Sequence, residues 1–488
     1  MSSVPNPRKV EPGTTCGFRA RLAVSLHLAV PLTFFAAVQL AASSPSGDLS
    51  SRVDALFEGK IGKDTPGAAV LIARDGTRLL EKGYGLAQVE ARIPVSCDTR
   101  FRIGSITKQF TAAAVLKLQE QGKLSIGDTI SKYIQDWPKG GEVTLRHLLN
   151  HSSGVHNYTS KPGFQTNVVV ATALGTLISS FKDDPYDFNP GDKFHYSNSG
   201  YVLLGHIIER VTGETYAAYL RKTFFEPLGM TNTGVYPSGG ALAKEALGYA
   251  YEKGTVGRSV DWDMSNVAAA GNLYSTPSDL FLWNEALFHG KVLSTESIRA
   301  AFTVGMLAGD DPAYPEDTGY GFGWTIDRLN GLREISHGGE LAGFGSYLLR
   351  IPEKDLTVVV LLNCVPQLPN LQQWGLAREI ARRALGPELP HQDAARPATS
   401  VSGAVLDAIA GRYDMGGGMI LTVRREGDRL FAEITDRKRV EMVPQSDRTF
   451  VVSGGGAEAT FVRKANGQVG KAILKQGGDR IDAPRLKP

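Results

Sequence analysis

The pattern of apolar and polar positions divides the chain into stretches of different period. "LSSRVDALFEG" reads as a short helix, and "GAAVLIARDGTRLLEKGYG" as two strands about the hairpin signal Asp75-Gly76. From Thr107 to Phe302 the pattern is mostly helical, cut by Gly, Pro and Ser turns. One helix start is well marked at "STPSDLFLWNEAL": Thr276 can cap, Pro277 takes the first helical position and Asp279 sits in the first turn. Strand pattern returns in "GYGFGWTID", "LREISHGG", "GFGSYLLRIP" and "LTVVVLLN", and a helix follows over Leu371 to Leu385. Strands from both ends of one unit, with helices between them, predict an α/β (α+β) sandwich over residues 46–386: an antiparallel sheet flanked by helices, plus a helical subdomain. A Pro/Ala-rich linker, 387–401, then leads to short alternating runs separated by Gly, Asp and Asn turns. Residues 402–488 are therefore expected to form a small all-β, barrel-like domain.

Composition changes this picture mainly at the N-terminus. The chain of 488 residues is 42% hydrophobic and 21% charged, as in soluble globular proteins, and is long enough for more than one core. Residues 1–43 stand apart: Arg8, Lys9, Arg19 and Arg21 precede the apolar run "LAVSLHLAVPLTFFAAVQLAAS", which reads as a signal peptide or an N-terminal anchor. The expectation is an exported protein, periplasmic or secreted, whose membrane association involves this segment alone. Four basic residues and one acid lie in it, so the formal charge of +3 becomes zero without it. A neutral remainder with no basic block argues against a nucleic-acid partner. The nine histidines show no His-x-x-x-His or His-Glu-x-x-His spacing, and neither a metal nor another cofactor is expected.

The candidate chemistry lies in "FRIGSITKQFTAAAVLKLQEQG". Ser105 and Lys108 are three apart at the start of an almost wholly apolar helix and share one of its faces. A serine hydroxyl needs a neighbouring base to become a nucleophile, and a lysine serves when an apolar surround lowers its pKa. The same spacing recurs at Ser179 and Lys182 with no such helix after it, so spacing alone carries little. Two further segments supply partners. In "FHYSNSGYVLLGHIIERVTG", Tyr196 can relay protons and Asn198 can bind a substrate carbonyl, although Tyr196 could equally pack and Asn198 cap the helix. In "ISHGGELAGFGSYLLRIP", His337-Gly338-Gly339 end a strand whose N–H groups can serve an oxyanion.

In this order, the three elements resemble the serine β-lactamase and penicillin-binding-protein superfamily, in its branch of class C β-lactamases, D-alanyl-D-alanine carboxypeptidases, D-aminopeptidases and family VIII-type esterases. "VTLRHLLNHSSGV", "AAGNLYSTPSDLFLW" and "GYGFGW" are similar to its recurring segments, and the C-terminal unit is similar to lipocalin-like domains fused to such hydrolases. The resemblance implies Ser105 as the acylated nucleophile, Lys108 as its activating partner and Tyr196 as the base that also protonates the leaving group. It implies substrate-binding roles for Asn198, His337, Gly339 and Glu340, with the N–H groups of Ser105 and Glu340 as the oxyanion hole. His337 stands where true β-lactamases carry a lysine. The expected activity is a serine hydrolase acting on an amide or ester of a small-molecule or peptide substrate; the alternative is an idle receptor for peptidoglycan or peptides. The pocket walls are expected from "NYTSKPGFQTN" and "LAGDDPAYPEDTG".

Overall fold

The computed structural model describes residues 45–252, 254–305, 318–366, 371–389, 401–416, 419–435, 439–452, 458–464, 467–476 and 479–486. The N-terminal segment 1–43, most of the linker and most of "LAGDDPAYPEDTG" lie outside them. The central sheet is built from both ends of its unit. Strands β1 (Ala68–Arg74) and β2 (Thr77–Tyr84) come from the N-terminal side, and β3 (Gly319–Tyr320), β4 (Thr325–Leu329), β5 (Leu332–Leu341), β6 (Phe344–Ile351) and β7 (Leu356–Leu362) from the C-terminal side. Their order is β3-β4-β5-β6-β7-β1-β2, with every pairing antiparallel. Asp75 and Gly76 both take positive φ, 50° and 70°, the geometry of a tight hairpin turn.

The continuous apolar runs in β1 and β7 follow from burial on both faces. Ala69, Leu71, Ala73, Val359 and Leu361 pack into one core with the helical subdomain. Ala68, Val70, Ile72, Val358 and Val360 pack into a second core with helices α1 (Pro45–Asp54) and α5 (Gln373–Leu385). The helical subdomain contains α2 (Thr107–Glu120), α3 (Asn198–Thr212) and α4 (Pro277–Phe288), among shorter helices. Helix α4 starts at the expected cap: the Asp279 N–H donates to Thr276 Oγ1 at 3.2 Å.

The C-terminal unit is all β apart from the helix Gly403–Ile409, which the sequence pattern did not show. Its eight strands run in chain order, all antiparallel, around a core that includes Leu406, Tyr413, Phe450 and Phe461. The Leu486 N–H donates to Arg412 O at 2.8 Å, bringing the end of the sheet back to its beginning and nearly closing a barrel.

Candidate active site

Ser105 sits in a 3₁₀ turn, Gly104–Ile106, that runs directly into α2. The turn is pressed backbone to backbone against the end of β5. A Cβ on Gly339 would lie 2.0 Å from Ile103 O and 2.9 Å from Ser105 N, so only glycine allows this approach. Gly104, at φ 50°, is equally tight: a Cβ there would lie 3.0 Å from Glu340 N. Ser346 Oγ secures the junction from β6 by donating to Ile103 O at 2.7 Å. The amide nitrogens of Ser105 and Glu340 therefore lie on either side of one contact, and both residues line an open pocket with Thr159, Phe164, Asn198 and Trp262. The helix N-terminus adds partial positive charge at Ser105.

Lys108, one turn on, is fully buried. Its Nζ lies 2.8 Å from Asn198 Oδ1, 2.8 Å from Ala270 O and 3.0 Å from Ser105 Oγ. Burial lowers its pKa well below the usual 10.5, because an ammonium there has lost its water. A neutral amine has two N–H donors and one lone pair. Two of its three neighbours are carbonyl oxygens that can only accept, so in the neutral form they would take both donors and leave the lone pair for the Ser105 hydroxyl.

The acceptors are themselves held. Asn198 opens α3; its Nδ2 donates to Thr159 Oγ1 at 3.1 Å and its N–H to Asn157 Oδ1 at 3.0 Å, which turns Oδ1 toward Lys108. Ala270 belongs to the short helix Ala268–Gly271, tied to α2 by the Thr111 hydroxyl, which donates to Ala269 O at 2.7 Å. Tyr196, partly buried, puts its ring centre 4.7 Å from Lys108 Nζ. Behind it lies an aromatic cluster: the His151 ring is 4.3 Å from that of Tyr196 and 4.6 Å from that of Tyr320. His151 Nδ1 accepts from the Ser197 N–H at 3.1 Å, and burial holds its pKa well below 6.5.

His337, expected to bind substrate, is placed instead behind the pocket wall. Its Nδ1 is 2.5 Å from Gly338 O and donates to it, so Nε2 accepts from the Tyr320 hydroxyl at 2.7 Å. Burial depresses its pKa to about 3, and the ring is neutral with both nitrogens engaged. Gly339 shapes the contact with Ser105 rather than lining the pocket. The second Ser-x-x-Lys pair is elsewhere: Ser179 is exposed and Lys182 Nζ pairs with Asp136.

The structure thus brings together Ser105, Lys108, Tyr196, Asn198 and Glu340. Of the expected walls, "NYTSKPGFQTN" supplies Thr159 and Phe164. Sequence reasoning missed Ala270, Trp262, His151 and Tyr320. His151 and Ala270 lie in segments that carry the resemblance, but nothing in the residue types signalled their contacts, because a backbone carbonyl and an aromatic packing partner have no motif.

The family model described as Beta-lactamase matches residues 53–382, and a domain of unknown function (DUF3471) matches residues 395–484. Among curated proteins, Penicillin-binding protein 4* of Bacillus subtilis (strain 168) is 28% identical over 450 residues, which cover 88% of this chain and 98% of that one. Among solved structures, the octameric penicillin-binding protein homologue from Pyrococcus abyssi matches with a TM-score of 0.61 at 28% identity, over 90% of this chain and 100% of its own. The D-amino acid amidase from Ochrobactrum anthropi SV3, complexed with D-phenylalanine, matches with a TM-score of 0.58 at 25% identity, over 69% of this chain and 99% of its own.

Proposed function

The chain belongs to the beta-lactamase family, and from that premise we propose that it is an exported serine hydrolase that cleaves an amide or ester through an acyl-enzyme on Ser105. The observation that carries this reading is the environment of Lys108, fully buried with its Nζ 2.8 Å from Asn198 Oδ1, 2.8 Å from Ala270 O and 3.0 Å from Ser105 Oγ, where burial favours the neutral amine that can take the serine proton. As the hydroxyl gives its proton to Lys108 Nζ, Oγ attacks the substrate carbonyl carbon. The oxygen that becomes negative is met by the N–H groups of Ser105 and Glu340. The tetrahedral adduct collapses, the leaving group departs with a proton delivered through Tyr196, and water then hydrolyses the Ser105 ester by the reverse relay. The D-amino acid amidase among the structural neighbours supports amide cleavage on this scaffold. Because His337 is neutral and internally bonded, it offers no positive charge to a substrate carboxylate, so β-lactams and D-Ala-D-Ala ends are poorer substrates than uncharged esters or amides. Export rests on the basic-then-apolar pattern of residues 1–43.

The test is reaction with a serine-reactive fluorophosphonate, followed by peptide mass spectrometry. One adduct on the peptide that carries Ser105 is expected. A folded protein that takes no adduct, or an adduct that persists in Ser105→Ala, overturns the reading and leaves the idle receptor in its place.

A further inference from the structure

We propose that His151 is a positioning residue that holds Tyr196 beside Lys108 by bonding the chain on both sides of that tyrosine. This rests on the hydrolase reading above. The His195 N–H donates to His151 O at 2.9 Å, and the Ser197 N–H donates to His151 Nδ1 at 3.1 Å. Tyr196 lies between those two residues, so a single residue pins the backbone before and after the proton-relay side chain. The His151 ring also packs against the Tyr196 ring, with centres 4.3 Å apart. Neighbouring bonds run the same way: the Gly191 N–H donates to Ser152 O at 2.8 Å and Ser197 Oγ to Val155 O at 3.0 Å. Residues 151–155 are thus the bed on which the Tyr-x-Asn turn lies. Because a proton relay works only within hydrogen-bond reach, a shift of about 1 Å in the phenol can cost up to about 10²-fold in rate.

Local chemistry alone would not place a histidine here. His151 follows Asn150, which closes the short helix Leu145–Leu149, and it stands at φ 60°. The residue just beyond a helix often takes this left-handed conformation, where glycine or, less often, asparagine is usual. Because Nδ1 accepts, Nε2 carries the ring hydrogen, and that buried donor has no hydrogen-bond partner among the described residues. An unspent buried donor is unfavourable. Glycine would serve the turn without it but would offer the Ser197 N–H no acceptor. Burial keeps the ring neutral, which preserves Nδ1 as that acceptor.

The experiment measures kcat and KM for a p-nitrophenyl ester in His151→Gly, His151→Asn and the double variant His151→Gly/Tyr196→Phe. Glycine suits the left-handed turn but supplies neither acceptor nor ring. His151→Gly is therefore expected to lower kcat by about tenfold or more while KM stays within about threefold. In the Tyr196→Phe background the same change should cost less than about twofold, because there is no phenol left to misplace. Asparagine also suits the turn and carries Oδ1 where Nδ1 stood, so His151→Asn should keep kcat within about threefold of wild type. That variant decides the matter if His151→Gly fails to fold. A fall of less than tenfold in His151→Gly, an equal fall with and without the Tyr196 phenol, or a larger loss in folded His151→Asn each overturns the proposal and leaves Ser105 chemistry standing. A wild type that takes no fluorophosphonate adduct removes the hydrolase reading, and this proposal with it.

Discussion

The chain contains two Ser-x-x-Lys pairs with the same spacing and opposite surroundings. At Ser105 the lysine is fully buried under an apolar helix, with two carbonyl oxygens and one hydroxyl at 2.8 to 3.0 Å. At Ser179 the serine is exposed, and Lys182 forms an ion pair with Asp136, whose side chain is 77% exposed. At the first pair the turn that carries Ser105 runs on into α2, whereas at the second the helix Leu174–Ser179 ends at the serine and Lys182 follows it in a turn. What distinguishes them is what the surroundings offer the lysine: the first is cut off from water and meets two carbonyl oxygens and the serine hydroxyl, whereas the second has a carboxylate and solvent to hold its charge. Reactivity of such a pair is thus a property of the pocket that receives the lysine rather than of the tetrapeptide.

The contrast breaks most sharply at the serines. Ser105→Ala is expected to lower turnover by more than roughly 10³-fold, as loss of a catalytic nucleophile does, while Ser179→Ala stays within about twofold of wild type. Steady-state hydrolysis of a p-nitrophenyl ester by both variants measures this, and comparable losses at the two positions would erase the distinction.

At the next level the proton relay separates the two sites. Lys108→Met and Tyr196→Phe are each expected to lower kcat by roughly 10²-fold, and the double variant should be little worse than the poorer single one, because both act on one proton path. Losses that multiply in full would assign the two residues to separate steps. Lys182→Met is the matched control and should leave kcat within about twofold.

Burial of Lys108 also leaves a thermodynamic trace. Its folded pKa is lowered, whereas in the unfolded chain it returns to about 10.5, so between those values the unfolded state holds the extra proton. Stability from this group therefore rises with pH across the window below 10.5 and is lost as pH falls through it, by at most about 1.4 kcal/mol per pH unit. Denaturant melts of wild type and Lys108→Met should show the wild type gaining on the variant as pH is raised. A pH-independent difference would mean that Lys108 is charged in the folded protein.

The finest probe is Thr159→Val. It removes the acceptor that fixes the Asn198 amide, so Oδ1 can turn away from Lys108. A fall in kcat of about threefold to tenfold is expected, the scale of one hydrogen bond, and Thr159→Ser should restore it. No change in kcat would mean that Asn198 holds its orientation through its backbone bond to Asn157 alone.

Much of this protein was legible in its sequence. The Asp75-Gly76 turn, the Thr276 cap and the fully apolar "LTVVVLLN" are dictated by local chemistry: positive φ, an orphan N–H at a helix start, and a strand with no wet face. The sandwich, the barrel-like tail and the pairing of Ser105 with Lys108 followed from such patterns, because period and spacing act within a few residues. Tertiary structure alone decided what the lysine meets. Asn198 Oδ1 and Ala270 O approach Lys108 from positions 90 and 162 residues away; the sequence offered Asn198 to a substrate carbonyl rather than to the lysine, and the backbone carbonyl of Ala270 leaves no mark on sequence pattern. The fate of His337 was decided in the same way. At the end of a strand it read as a substrate ligand, but Tyr320 and the carbonyl of Gly338 claimed both its nitrogens once β3 and β5 were brought into one sheet. Local pattern fixes which groups a residue offers; whether water, substrate or another part of the chain takes them depends on segments that only folding brings within hydrogen-bond reach.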